Sequence, residues 1–511
     1  MVCLSDNIFI GQHYTSEEAA LLKKGEKEKR LNLKILNEDF ALNNGANIPA
    51  PSQQQALRLP HEIKSEDSGR LFFAGFDGRL FVEGFDTVLR ICGRLNSASI
   101  FLNGYCVAKL SNILMNAQIN VTDYLRNKNT LFLVADDNHH KSSDIIHSIT
   151  ISHLPKSRIT DLFLRNRLSL EKAEIFADVT IVSGDVEAAI GGKLSVSIFD
   201  GKKRVCEGQA DIPSFSRNHW ITVRVTLEMD SPRLWSVEDP YRYTVLLKLI
   251  NSDKSISDVR RVMHGIRELR IINYSKRINA GPGFHLNGFP VKIFGAVVRN
   301  QYASLPAKLK ASGFNAVRVV NPYDPSFLEA CDSEGLLQMC ESVFEVVSER
   351  RRTKKQGNVP DPLTRPFALL GEMVTQLKNF ASVFCWSYGG YKYFGNGAIG
   401  EFIRSLDDTR AVQCEGDLNY KASDFFSASD CGISELKAFA DKKTISDGRF
   451  LGTRIRFGRY KYHQMLLCEA DAEIEYLKNK FDVAASADSI LGIFIDIEGL
   501  DDIEVFKTVF H

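Results

Sequence analysis

The hydrophobic rhythm of this chain changes near Asn273, and that change limits the fold more than any other feature. From about Leu71 to Ile272 apolar and polar residues alternate in short runs, as in "RLFFAGF", "TVLRICGRL", "GKLSVSIFDG" and "WITVRVTLE". Successive side chains of a strand point to opposite faces. A period of two with Gly, Asn and Asp between runs therefore predicts antiparallel β-domains. After Asn273 apolar runs alternate with helical spacing, as in "FPVKIFGAVV" and "LPAKLKASGFNAVRVVN". That alternation predicts parallel strands with intervening helices and fits a (β/α)₈ barrel. The fold class is thus multidomain, β followed by α/β.

A chain of 511 residues is expected to form about three domains. We read 1–60 as a lead-in with a charged surface helix, 61–155 as an antiparallel β-domain, 156–272 as an immunoglobulin-like sandwich and 273–511 as a short TIM barrel. The ten cysteines are scattered, without C-x-x-C, and read as small buried hydrophobes in a reducing compartment. The sequon at Asn120-Val121-Thr122 is then expected to be unused. The N-terminus lacks a basic stretch followed by an apolar one, so a cytoplasmic location is expected. A formal net charge of +1 offers no global attraction to nucleic acid or anionic membrane. No apolar run approaches the ~18–20 residues of a membrane span. Neither nucleic acid nor membrane is expected as a partner, and a homo-oligomer or protein partner stays open. "GNGAIG" lacks the strand and helix of a dinucleotide site, and neither a phosphate-binding loop nor a nucleophile elbow is present, so no cofactor is expected.

Longer motifs carry a resemblance. "ASIFLNGYCVAKLSN" and "INVTDYLRNKNTLFLVADD" are followed by "SPRLWSVEDPYRYTVLLKL", "HGIRELRI", "FHLNGFPVKIFGAVVRNQ", "GFNAVRVVNPYDPSFLEACDSEGLLQMCE" and "VFCWSYGGYKYFGNG". In this order, over roughly 71–500, they resemble glycoside hydrolase family 2, the β-galactosidases, β-glucuronidases and β-mannosidases. The resemblance implies jelly roll, immunoglobulin-like sandwich and catalytic barrel, in that order, and a β-linked sugar or glycan as ligand.

A retaining glycosidase uses two carboxyl groups about 5–5.5 Å apart, one as acid/base and one as nucleophile. The family's W-S-x-G-N-E places the acid/base at Tyr391, after Trp386, Ser387, Gly389 and Gly390. A phenol of ordinary acidity is a poor proton donor to a glycosidic oxygen at neutral pH. The family's nucleophile corresponds to Glu469 in "QMLLCEADAEIEY", with Ala470 and Ala472 replacing a Tyr and a His. Asn300 and Asn321 replace two family histidines beside Arg299 and Arg318, and with Trp386 they complete the implied sugar-binding set. The metal positions correspond to Glu345, Val347 and Tyr391. One carboxylate does not hold a hard cation in a dedicated site, so no metal is expected. Arg318 is read either as orienting a nucleophile or as fixing the barrel's inner layer. Glu341, Glu345, Asp496 and Glu498 are strand-end carboxylates with the position to form a new pair. Tyr388, Tyr391, Tyr393 and Phe394 are expected to narrow the barrel mouth. The expectation is a β-galactosidase-type relative that has lost catalysis and acts as a carbohydrate-binding or interaction pseudoenzyme. The alternative is an active retaining exo-β-glycosidase with Glu469 as nucleophile and a relocated acid.

Overall fold

A computed structural model describes chiefly residues 71–77, 85–113, 116–135, 144–169, 171–184, 192–213, 219–272, 283–342, 364–390, 397–415, 423–429, 451–456 and 490–496, with shorter stretches elsewhere. The chain divides into two compact units. One comprises 1–165, 174–229 and 243–263, the other 166–173, 230–242 and 264–511.

Among the described residues the N-terminal sheet has ten strands. Its centre is the long strand Phe85–Leu102, which pairs with Asp144–Pro155 along its first half and with Lys128–Ala135 along its second. The change of partner follows Gly93, whose φ is +152° and where a Cβ would lie 2.0 Å from the Ile145 carbonyl oxygen. Only glycine lets the strand turn this corner between two layers. Leu89, Ile91, Leu95, Ala98, Ile100 and Leu102 then bury themselves between the layers. This is the jelly-roll sandwich.

The lead-in departs from expectation. Lys29–Arg30 pairs with Thr150–Ile151, Lys34–Leu36 pairs with Leu71–Phe73, and His13–Tyr14 pairs with Val259–Arg260. Most of the expected surface helix lies outside the described residues, and within it Lys29–Arg30 and Lys34–Leu36 are strand. The physical reason is that a sheet edge offers unpaired main-chain groups to any neighbouring segment, whatever its side-chain pattern.

The second sandwich has the immunoglobulin-like arrangement. A three-stranded sheet, Arg158–Leu168, Lys172–Val182 and Trp220–Asp230, accompanies a five-stranded one that includes Lys193–Asp200, Lys203–Asp211, Tyr243–Ile250 and Ile256–His264. Trp220–Asp230 shows the period of two: Val223, Val225, Leu227 and Met229 are buried, and the residues between them are exposed.

Eight parallel strands make the C-terminal sheet: β1 Ile293–Val298, β2 Ala316–Val320, β3 Leu337–Glu341, β4 Val383–Gly390, β5 Ala411–Glu415, β6 Phe426–Ser429, β7 Leu451–Arg456 and β8 Ile490–Asp496. First and last strands pair, Ile293 to Gly492 through Val297 to Asp496. Between β5 and β6 the ring is joined differently. The Val412 amide donates to Asp424 Oδ2 at 2.7 Å, the Cys414 amide to Ser423 Oγ at 2.8 Å, and the Asp424 amide to the Val412 carbonyl at 2.8 Å. The described helices are α1 Leu305–Ala311, α2 Pro325–Glu334, α3 Thr364–Leu377 and α4 Ala398–Leu406. The result is the TIM barrel the βα rhythm predicts. Ile293, Val297, Ala316, Leu337, Met339, Cys385, Ala411 and Phe494 fill its core. Under it, Phe284 meets Phe384 and Phe425 edge-on, with centroids 5.2 and 5.8 Å apart.

Candidate functional site

Barrels of this type carry their chemistry at the C-terminal ends of the strands, so the inner face of β2 to β5 is the place to look. Alternation puts Glu341 on the same face of β3 as Leu337 and Met339, which are core residues. Register then aligns Glu341 with Ser387 and Ser387 with Gln413 on neighbouring strands. All three are buried. Ser387 Oγ lies 2.9 Å from Glu341 Oε2 and 2.6 Å from Gln413 Oε1. Arg318 completes the chain through an ion pair with Glu341, both side chains being 2% exposed. A polar line thus crosses four adjacent strands inside an otherwise apolar core.

The loops above are tied to it. The Asn321 amide donates to the Glu341 carbonyl at 2.6 Å. Asn321 itself has φ +49°, a left-handed conformation that Asn tolerates better than most residues. Gln301, buried, accepts from the Tyr323 and Asp324 amides at 2.9 and 3.1 Å and donates to the Asn321 carbonyl at 3.1 Å. It clamps the loop after β1 to the loop after β2. Asp324 is committed as well: it caps α2 by accepting from the Ser326 amide at 2.8 Å.

Of the residues singled out from sequence, Arg318 and Glu341 meet, in the manner of an inner-layer anchor. Asn321 borders them through its main chain. Asn300 is exposed in the bend after β1. Trp386 needs a correction as a sugar contact. It lies on the opposite face of β4 from Ser387, is fully buried, and donates from Nε1 to Asp407 Oδ2 at 2.9 Å. The Arg410 guanidinium lies 5.8 Å from its ring centroid. Its role is to tie the outer face of β4 to the segment after α4. Tyr388 is likewise buried. Tyr391, Tyr393, Phe394, Glu345, Val347, Glu469 and Glu498 lie outside the described residues, as does the side chain of Asp496. Gln301, Ser387 and Gln413 were not marked as a group by any motif. The signal, polar residues at register-matched inward positions, requires the strand phase to be known.

Burial, reinforced by Asp424, pushes the Cys385 thiol well above its ordinary pKa, although Arg318 opposes the shift. A thiol held neutral in this way is a packing group and not a nucleophile. No group of metal-ligating side chains occurs among the described residues. The donor set at the family's metal positions, Glu345, Val347 and Tyr391, does not fit a hard cation.

A second polar cluster lies at the opposite ends of the strands. Arg267 donates to the Ala381 and Val383 carbonyls at 2.8 and 2.7 Å. Arg410 donates to the Val383 and Phe380 carbonyls and to Asp407 Oδ2, at 3.0, 2.9 and 2.9 Å. His264 is buried beside both and bonds Asn166 Oδ1 through Nε2 at 3.1 Å. Burial, then Arg410, lowers Arg267 to about 9 despite Asp407 and Asp332. This cluster holds the start of β4 and carries no chemistry.

Comparison with known proteins agrees with this architecture. The sequence model "Glycosyl hydrolases family 2" matches residues 157–267, and "Glycosyl hydrolases family 2, TIM barrel domain" matches 293–448. A β-galactosidase of Oenococcus oeni is 25% identical over 350 residues, which cover 62% of this chain and 33% of that protein. A β-galactosidase of Pseudoalteromonas haloplanktis is 27% identical over 295 residues, covering 54% and 27%. The chain therefore matches about a third or less of the length of these relatives. Among solved structures, a β-glucuronidase of Bacteroides uniformis superposes with TM-score 0.76 at 18% identity, covering 92% of this chain and 64% of that one. A family 2 member from Bacteroides cellulosilyticus gives 0.74 at 19%, covering 92% and 66%. With two family models spanning more than half of its residues and the matching fold around them, the chain belongs to glycoside hydrolase family 2.

Proposed function

We propose that this chain is a β-galactosidase-type member that keeps the barrel as a carbohydrate-binding or interaction scaffold and does not hydrolyse glycosides. The observation that carries this reading is the state of Glu341. It is a strand-end carboxylate inside the barrel, and it is buried and held by Arg318 and Ser387. A carboxylate held ionised by a guanidinium is a poor proton donor, and one that is 1% exposed offers an anomeric carbon no approach. Asp324, the other described carboxylate at this end of β2 and β3, is engaged as a helix cap. Tyr391 at the acid/base position and the unfit metal set support the same reading.

The test is hydrolysis of aryl β-galactosides, β-glucuronides and β-mannosides, whose activated leaving groups need little acid assistance. The expected result is no release above the uncatalysed rate, together with saturable binding of one of the parent sugars. Turnover that Glu469→Gln abolishes would overturn the proposal in favour of a retaining exo-β-glycosidase with Glu469 as nucleophile. The relatives' names supply that alternative, since both curated matches are β-galactosidases.

A further inference from the structure

We infer a binding site for a small organic cation with a short aliphatic body, in a cleft under the barrel that also touches the join between β5 and β6. The cleft has a volume of about 320 Å³. One wall is the edge strand Leu269–Ile272 of a three-stranded sheet, through Leu269 and Ile271. The other runs from Asp408 to Ala411, with Asp424 beside it. Ala411 begins β5, so the cleft lies at the N-terminal ends of the strands. It is separate from the polar line of Arg318, Glu341, Ser387 and Gln413 at the opposite ends. Its volume falls at the lower end of the ~300–1,000 Å³ of ligand clefts, which suits a small molecule.

Charge selects the occupant. Four charged groups of this region cancel in pairs. Arg410 donates to Asp407 Oδ2 at 2.9 Å, and Arg404 donates to Asp424 Oδ1 at 2.8 Å. Asp408 remains. It is exposed, and among the described residues no hydrogen bond or ion pair engages its carboxylate. The cleft therefore carries one uncompensated negative charge. Leu269 and Ile271 pack against the barrel core and are only partly buried, which leaves branched aliphatic surface in the same cleft. An ammonium on Asp408 with a chain of about five carbons along Leu269 and Ile271 uses both features. An anion is repelled by the same carboxylate.

Asp424 gives the site a consequence. It forms part of the cleft, and its Oδ2 accepts from the Val412 amide at 2.7 Å, one of the bonds that join β5 to β6. Its side chain is 35% exposed, so water reaches this bond from the cleft. A ligand seated against Asp424 shields the bond, and a hydrogen bond removed from water is electrostatically stronger. Occupancy of the cleft thus steadies the barrel at the place where β5 meets β6.

The experiment is ligand-observed NMR of the full chain with n-pentylammonium chloride, together with amide hydrogen exchange of residues 411–415 read by mass spectrometry. Saturable binding is expected, with a dissociation constant on the order of 1 mM. n-Pentanol has the same shape without the charge and should bind about tenfold more weakly. Asp408→Asn should remove that difference, since about one charge-assisted contact is lost. Asp408 is exposed and unpartnered among the described residues, so this variant keeps the fold. At saturation the amine should slow exchange at Val412 and Cys414 severalfold. Absence of saturable binding, equal binding of the alcohol, or a preference that survives in Asp408→Asn overturns the proposal. It is equally overturned if the amine binds and exchange over 411–415 stays as it was, which would place the amine elsewhere.

Discussion

Arg318 passes over its register partner Met339 and pairs with Glu341, two residues further along the neighbouring strand. Both charges are desolvated, so each depends on the other. Glu341→Gln should destabilise the protein by about 3–5 kcal/mol, because it strands a buried guanidinium. Arg318→Met combined with Glu341→Leu should recover most of that loss. Guanidinium denaturation of the three variants checks both statements. A single variant costing under about 1 kcal/mol would show that the pair is not desolvated.

Acid should weaken the second unit through His264. Its burial, then Arg267 and Arg410, lower the imidazole to about 3 from an ordinary 6.5, a backbone hydrogen bond at Asn379 partly opposing. Between these values the unfolded chain holds one more proton than the folded one. Stability is therefore fully present above pH 6.5 and falls with acidification by about 1.4 kcal/mol per pH unit. Denaturation midpoints at pH 7, 6 and 5 should show that slope, and His264→Gln should flatten it.

Asp407 receives the Trp386 indole and the Arg410 guanidinium. Burial alone would raise its pKa, yet Arg410, Thr409 and Trp386 together hold it below the ordinary value. Asp407→Asn should cost about 3 kcal/mol by leaving Arg410 beside Arg267 without a counter-charge. Trp386→Phe should cost about 1–2 kcal/mol and leave sugar binding unchanged. A change in sugar affinity in Trp386→Phe would restore that residue to the ligand site.

Gly335 ends α2 at φ +72°, and a Cβ there would stand 2.3 Å from the Val237 carbonyl oxygen. The same oxygen accepts from Lys310 Nζ at 2.7 Å. Gly335→Ala combines left-handed strain with a main-chain clash and should lower stability by about 2–4 kcal/mol. Thermal unfolding of Gly335→Ala beside Gly335→Asn reads the two contributions, since Asn relieves only the strain.

The architecture was legible because it is written in repeating patterns: alternation in Trp220–Asp230, the Asn103-Gly104 turn, and βα spacing from Ile293 onward. The site was less so. Arg318 and Glu341 are 23 positions apart in sequence, and their meeting depends on the parallel β2–β3 register, while the alignment of Glu341 with Ser387 follows an irregularity between Gln338 and Met339 on the β3–β4 ladder. The direction of Trp386 follows from the same strand phase, which no motif reveals. Lys29–Arg30 and Lys34–Leu36 misled because their charges suit a solvated helix, whereas edge pairing is indifferent to side-chain type.

The seam between β5 and β6 has a consequence for how this ring changes over generations. A main-chain ladder cannot be removed by substitution, since every residue but proline supplies it. Here closure rests on the side chains of Asp424 and Ser423 beside the main-chain bond from Asp424 to Val412, and Arg404 of α4 steadies Asp424 at 2.8 Å. The seam is a latch, and a latch can be altered codon by codon. The circumference of the barrel, fixed by hydrogen-bonded ladders elsewhere among the described strands, is at this one join open to adjustment without rebuilding any strand.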